Sequence, residues 1–214
     1  MSVIFDNTDL WGRALGNTLL LFVAGGAIAL VLGILVGAMR VSPVPIARAF
    51  GTVYVNIIRN TPLTLVFFFF AFGYPQLFPS PGYVVLAIWA LGIYTATYVA
   101  EVIRAGINTV PVGQAEAARA IGLPFGQVMS LVVLPQAFRS VVPPMMSVFI
   151  ALLKNTTVAA GFSVAELGVI RAYLSERGEN ALVVILWVAA IFVVLVLLLS
   201  ALQRYLEKKW RIAR

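Results

Sequence analysis

The chain of 214 residues contains neither cysteine nor histidine. The missing thiols exclude disulfide scaffolds and cysteine nucleophiles. Without imidazoles there are no histidine-based triads or histidine-ligated haem, and the two absences together exclude Cys/His zinc sites. Charge is scarce as well. Only 11% of residues are charged, against about 25% in an average soluble domain, while 62% are hydrophobic and the mean hydropathy is +1.01. These figures exclude a water-soluble globule. The eight acidic residues are outnumbered by fifteen basic ones, for a net charge of +7. Nucleic acid explains this excess poorly, because the basic residues are spread between long uncharged runs, a pattern that reports membrane topology. The chain reads as an all-α integral membrane protein.

Charges serve as rulers along it. Residues 14–39 form an uncharged run of 26, about 39 Å of helix against a hydrocarbon core of about 30 Å. A secretory leader would have a shorter apolar stretch behind a basic start, whereas Asp6 and Asp9 precede this one. The next uncharged run, 60–100, is too long for one span and is broken by Pro75, Pro79, Pro81 and Gly82. It predicts two spans, about 61–75 and 83–101. A fourth is expected over about 140–162, with Lys154 as its sole charge, and a fifth over about 180–203. Five spans put the termini on opposite sides. With the N-terminus outside, eleven basic residues fall inside (Arg40, Arg48, Arg59, Arg104, Arg119, Arg139, Arg204, Lys208, Lys209, Arg211 and Arg214) and three outside (Arg13, Arg171 and Arg177). The positive-inside bias therefore predicts N-out, C-in.

Two connections exceed a simple turn, and long connections with internal pattern tend to carry function. In the inside stretch 102–139, residues 114–121 are strong helix formers, Gly122 suits a left-handed cap, and Pro124 suits the start of a second helix. That second helix is expected to stop near Val133, before Pro135. Ala117, Ala118 and Ile121 are expected together on one side, as a docking knob or as the apolar face of a linker on lipid headgroups. The outside stretch 163–180 carries Arg171, Glu176, Arg177 and Glu179, a docking ridge or a solvated charged cap.

Polar residues within the spans are functional candidates because burying them in lipid is costly. Lys154 is followed directly by Asn155, Thr156 and Thr157. This patch lines a cavity, or Lys154 snorkels or ties down a neighbouring helix end. Tyr94, Thr97, Tyr98 and Glu101 share one helical stripe. It lines the cavity, or forms an interhelical seam in which Glu101 pairs with Arg104. Thr61-Pro62 is fully explained by helix-start chemistry, and Phe67 to Phe70 by packing.

The run Glu116-Ala117-Ala118, then Gly122, Val132 and Leu134-Pro135, has the spacing of the EAA signature and resembles the permease subunits of ABC importers. Arg59-Asn60-Thr61-Pro62-Leu63, residues 98–107 and Leu153-Lys154-Asn155-Thr156-Thr157 resemble the polar amino-acid branch, most of all the smaller permease subunit of glutamate importers. The resemblance covers nearly the whole chain. It implies the type I importer permease fold with a cytoplasmic coupling helix, in a bacterial plasma membrane. It also implies ATPase contact through Gly113, Glu116, Ala117, Ala118, Arg119, Ala120, Ile121, Gly122, Leu123 and Phe125, with Glu116 capping or salt-bridging. The implied substrate path includes Thr61 and Pro62. Asn155, where the branch often has Asp, leans toward an acidic or neutral amino acid.

The implied partners are a second permease subunit, expected to be a different chain, two cytoplasmic ATPases, and an extracellular or periplasmic solute-binding protein. No catalysis and no cofactor are expected on this chain. The phosphate-loop pattern is absent, so ATP and Mg²⁺ belong to the ATPase. The rivals are a secondary transporter, for which no internal repeat is found, a Ser–Lys intramembrane enzyme, for which Ser147 is seven residues from Lys154, and a purely structural subunit.

Overall fold

The computed structural model describes residues 2–209. Its regular structure is helical, with no strand among the described residues. A short α1, Ser2–Phe5, leads into α2, Thr8–Val41. Then come α3, Pro45–Asn60, and α4, Leu63–Leu77, bent 99° from each other. After them are α5, Tyr83–Asn108, the short α6, Val112–Ala120, and α7, Phe125–Phe162. The chain ends with α8, Ile170–Glu176, and α9, Ala181–Lys209. Four helices (α2, α5, α7 and α9) are long and apolar enough to cross a bilayer, and the bent α3–α4 pair makes a fifth candidate.

Lipid supplies no hydrophobic drive between helices, so close backbone approach must hold them together. α2 and α5 run parallel in the most extensive contact of the bundle. At Gly33 a side chain is impossible: a Cβ there would lie 2.5 Å from Val99 Cβ and 2.9 Å from the Ala96 carbonyl. Gly92 makes the reciprocal approach on α5, against Ile28. α7 packs antiparallel on α5, and α9 leans chiefly on α7 and α8.

Three expectations from the sequence need correction. First, the second span does not start with Thr61 as N-cap. Thr61 closes α3 in an extended conformation, Pro62 caps α4, and α4 alone is only 15 residues, about 22 Å. The preceding α3 was hidden by Arg48 and Arg59, which interrupt the uncharged run although they occupy one side of an amphipathic helix. Gly51 and Val55 face the bundle, while Ile46, Phe50, Val53 and Ile57 form an exposed stripe.

Second, the helix after Pro124 does not stop before Pro135. A π turn over Val128–Val133 immediately precedes Leu134-Pro135, and the helix continues. Proline lacks an N–H and its ring strikes the carbonyl four residues back; the wider turn absorbs both effects. The same arrangement recurs in α4, where the π turn Phe69–Gly73 precedes Tyr74-Pro75. Third, the spans on either side of the coupling stretch reach further into 102–139 than the expected bounds of 101 and 140. α5 extends to Asn108 and α7 begins at Phe125, leaving α6 as a short helix between two long ones.

Charge segregates between the two ends. Arg40, Arg104, Arg119, Arg204 and Lys208 lie toward the α6 end, and Arg13, Arg171 and Arg177 toward the α8 end. Arg211 and Arg214 lie outside the described residues.

The α8 end is capped by an apolar cluster of Val3, Trp11, Ala14, Leu167, Ile170, Leu174 and Val184. Its outer charges are partly used up. Arg177 donates to Asn7 Oδ1 at 2.9 Å and faces Asp9 at 3.6 Å, and Asn7 donates to Glu179 at 3.0 Å. Of the expected docking ridge, Arg171, Glu176 and Arg177 stay exposed, and Glu179 is half-buried.

The turn before α8 is clamped onto α2. Asn17 donates to the Ala165 carbonyl at 2.7 Å, and Leu167 N–H donates to the Thr18 hydroxyl at 3.1 Å. Glu166 is wholly buried in this clamp. It accepts from Gly168 N–H at 2.7 Å and, more distantly, from Thr18 at 3.4 Å. Burial pushes its carboxyl above the ordinary value of 4.5, and these two bonds oppose the shift only in part. The native chain therefore holds this proton more tightly than the unfolded chain. The resulting stabilisation is complete below the ordinary value and is lost as pH rises through the folded-state pKa. Thermal unfolding in detergent from about pH 5 to about pH 8 should show a steeper loss of Tm in wild type than in Glu166→Gln; equal slopes would refute this.

Candidate functional site

Midway along the bundle, α5 and α7 diverge to leave a cleft of about 390 Å³ lined by Tyr94, Thr95, Tyr98, Ser147, Ala151 and Asn155, among others. The two tyrosine hydroxyls are 3.0 Å apart, and Arg59, at the end of α3, stacks its guanidinium 5.3 Å from the centre of the Tyr98 ring. Thr95 is buried, and its hydroxyl has no hydrogen-bond partner among the described residues. Among the described residues, no carboxylate lines the cleft. An uncharged polar wall with an arginine at its edge suits a zwitterionic or anionic ligand better than a cation.

α7 changes character here. From Thr156 to Phe162 it tightens into a 3₁₀ helix, and the threonines satisfy the last α-helical carbonyls: Thr156 donates to Leu153 at 2.7 Å and Thr157 to Lys154 at 2.8 Å. The expected polar patch is divided between two surfaces. Asn155 faces the cleft, and Thr156 is buried. Lys154 and Thr157 instead line a separate groove against α9, with Phe192, Val193, Val196 and Leu197. Ser147 and Lys154 thus occupy different depressions, which leaves no Ser–Lys dyad. The stripe on α5 divides too. Thr97 is buried and donates to the Tyr94 carbonyl at 2.7 Å, so Thr95 takes its place in the cleft. Thr61 donates to the Ile57 carbonyl at 2.8 Å, and Pro62 is exposed; neither lines the cleft.

One turn below Tyr98, Glu101 is held by both Arg104 and Arg40. The Arg104 pair was legible from its spacing on one helix. Arg40 was not, because nothing in the sequence brings the end of α2 beside α5. The triplet carries a net charge of +1, with the Nε atoms of both arginines buried and unpartnered among the described residues.

At the end of the same two helices sits α6. Its last turn closes as sequence reasoning expects. Gly122 adopts φ +87°, its N–H bonds to the Arg119 carbonyl at 2.9 Å, and Leu123 N–H bonds to Ala118 at 3.2 Å. This is a Schellman cap, and it needs a residue free of Cβ strain. The knob differs in composition from the expected one. Ala118 is turned inward onto Val128 and Val133 in a cluster with Leu123, whereas Ala117 and Ile121 are exposed together with Gly113, Glu116, Arg119, Ala120, Gly122 and Phe125. Glu116 makes no ion pair or side-chain hydrogen bond among the described residues, so its charge is available to a partner.

A bundle with one broken span, a polar cleft at mid-depth and an exposed helix at the foot of the cleft-forming helices defines a membrane permease subunit. The chain belongs to the family of binding-protein-dependent transport system inner membrane components, whose model matches residues 29–212. It is 40% identical over 182 residues to the glutamate transport system permease protein GluC of Corynebacterium efficiens, covering 79% of this chain and 80% of that one. To the probable glutamine ABC transporter permease protein GlnM of Bacillus subtilis it is 36% identical over 209 residues, 98% and 97% of the two chains. Among solved structures, an amino acid ABC transporter matches with TM-score 0.90 and 28% identity over 96% of each chain. The MetNI methionine transporter, at 22% identity and TM-score 0.79 over 96% and 98%, shares the fold.

The ion triplet yields a test of its own. The Arg40 side chain is 9% exposed and joins two helices, so Arg40→Met should cost on the order of 3 kcal/mol. Arg104 is 36% exposed and on the same helix as Glu101, so Arg104→Met should cost about 0–1 kcal/mol. Thermal unfolding in detergent ranks them, and equal losses would show that the cross-helix pair is not the important one.

Proposed function

We propose that this chain is the permease subunit of an ATP-driven importer for an acidic or polar amino acid, glutamate or glutamine by the names of its relatives. In this reading it supplies half of the pathway beside a second permease, in a bacterial plasma membrane, with its N-terminus outside. Two cytoplasmic ATPases hold ATP and Mg²⁺ and grip α6, and an extracellular or periplasmic solute-binding protein delivers cargo at the α8 end. The higher basic charge toward the α6 end supports this orientation.

The observation that carries the reading is that α5 and α7 bear both the polar cleft and, at their ends, the exposed α6. The connection is short. From Tyr98 to Asn108 is ten residues, about 15 Å of helix. A displacement of α6 is passed through the Ala118–Val128–Val133 packing into α7 and through 109–111 into α5. The cleft then widens or narrows according to the state of the ATPases. Asn155, Tyr94, Tyr98 and the unpartnered Thr95 hydroxyl offer neutral hydrogen-bonding groups to the polar ends of an amino acid. Arg59 and the net positive triplet below favour its carboxylates.

The complete complex in proteoliposomes tests both halves. Gly122→Val places a β-branched residue at φ +87°. It should cut ATP-driven uptake on the order of tenfold or more while ATP hydrolysis persists. Uptake at the wild-type level would refute the coupling role. Asn155→Asp should raise uptake of a cationic amino acid relative to glutamate by ~10-fold; an unchanged preference would remove Asn155 from the substrate path.

A further inference from the structure

The ion triplet holds more cation than tying two helices together requires. The bridge from Arg40 on α2 to Glu101 on α5 is enough for that task, yet Glu101 also takes Arg104. The second arginine leaves a net charge of +1 inside the bundle, where uncompensated charge is costly. Buried donors are nearly always partnered, but the Nε groups of both arginines are buried without a partner among the described residues. The Arg40 side chain is 9% exposed, and α3 fixes its stem: a Cβ at Gly51 would come within 2.9 Å of Arg40 Cγ. Each guanidinium presents a planar fork of N–H donors matched to a carboxylate. The pair is thus preorganised for more carboxylate than Glu101 supplies.

Its position names the ligand. Tyr98, which lines the cleft, precedes Glu101 by three residues, about 4.5 Å along α5. Arg59 lies over the Tyr98 ring. Three guanidiniums therefore lead from the cleft toward the α6 end, with Glu101 as the carboxylate that holds two of them. The side chains of Glu101 and Arg104 are 24% and 36% exposed, so this contact is open to a competitor. We propose that Arg40 and Arg104 form a second, transient site for the side-chain carboxylate of an acidic amino acid, and that Glu101 is its tethered stand-in. A ligand leaving the cleft displaces Glu101 from the arginines. Glu101, anchored on α5, competes at high effective concentration; it takes the arginines back and releases the ligand toward the α6 end. Charge is conserved, because one carboxylate replaces another. An acidic amino acid can hold Arg59 with one carboxylate and the pair below with the other, whereas a neutral one has a single carboxylate and cannot do both. The proposal rests on the importer reading and adds an exit step and a basis for selecting acidic over neutral cargo.

The test uses the complete complex, with radiolabelled glutamate and glutamine as probes. In proteoliposomes, Arg104→Gln should lower the ratio of glutamate to glutamine uptake about tenfold, and Arg104→Lys should restore most of it. In detergent, Glu101→Gln removes the stand-in and should tighten glutamate binding about tenfold relative to glutamine, while slowing glutamate uptake. Equal losses of both uptakes in Arg104→Gln mark the triplet as a structural tie and overturn the proposal. So does a Glu101→Gln complex that binds glutamate no tighter than wild type. Should Glu101→Gln fail to assemble, the Arg104→Gln ratio decides alone, since that side chain is the more exposed of the two arginines and lies on the same helix as Glu101. A wild-type complex that carries glutamine but not glutamate overturns the proposal and leaves the importer reading intact. Uptake of neither overturns the proposal together with the reading of the cargo.

Discussion

The parallel contact of α2 with α5 sets the geometry of everything else in this molecule. It depends on backbone approaching side chain without a Cβ between them, as at Gly33 against Val99. In a bilayer such approach replaces the hydrophobic drive of a soluble core. Once α2 and α5 are parallel neighbours, the chain between them must cross back once, to the side on which α2 began. The bent α3–α4 pair is how it does so. The same contact brings Arg40 to Glu101 and sets Arg59, at the end of α3, over Tyr98.

The cleft follows from what α7 does against that fixed pair. Asn155 turns toward α5 and Lys154 away from it, because adjacent residues of the α-helix that ends at Asn155 point about 100° apart. Two threonine hydroxyls stabilise the tightening that follows at Thr156–Phe162 by taking carbonyls that a regular helix would have bonded. One short stretch of polar residues therefore serves two surfaces, a hydrogen-bonding cleft on one side and a cationic spot on the other. The ion triplet below the cleft adds positive charge without a carboxylate in the cleft itself, which biases the site against cationic amino acids.

Much of this was legible in the sequence where a local rule governs. The long apolar runs, the left-handed Gly122 and the Glu101–Arg104 pair depend on neighbours within a helical turn or two. Other features were missed, some because they depend on more distant contacts. α3 was overlooked because a ruler made of uncharged residues cannot see an amphipathic helix; the spacing of Ile46, Phe50, Val53 and Ile57 was the available signal. The swap of Thr95 for Thr97 in the cleft, and of Ala118 from knob to anchor, turned on which side of a helix its neighbour occupies. Periodicity marks a stripe but does not choose its direction. Pro135 misled for a different reason: a helix can pass a proline if the turn before it widens.

That widened turn has a geometric corollary. A π turn accommodates one residue more than the α-helical count, and each residue of an α-helix advances by about 100°. Were Val128–Val133 to rewind to ordinary helix, the part of α7 that seats α6 would swivel by that amount relative to the part that bears Asn155. The exposed foot of the bundle and its polar middle are therefore held in phase by a single surplus residue, and the angle between them is written into the chain by its length rather than by any one side chain.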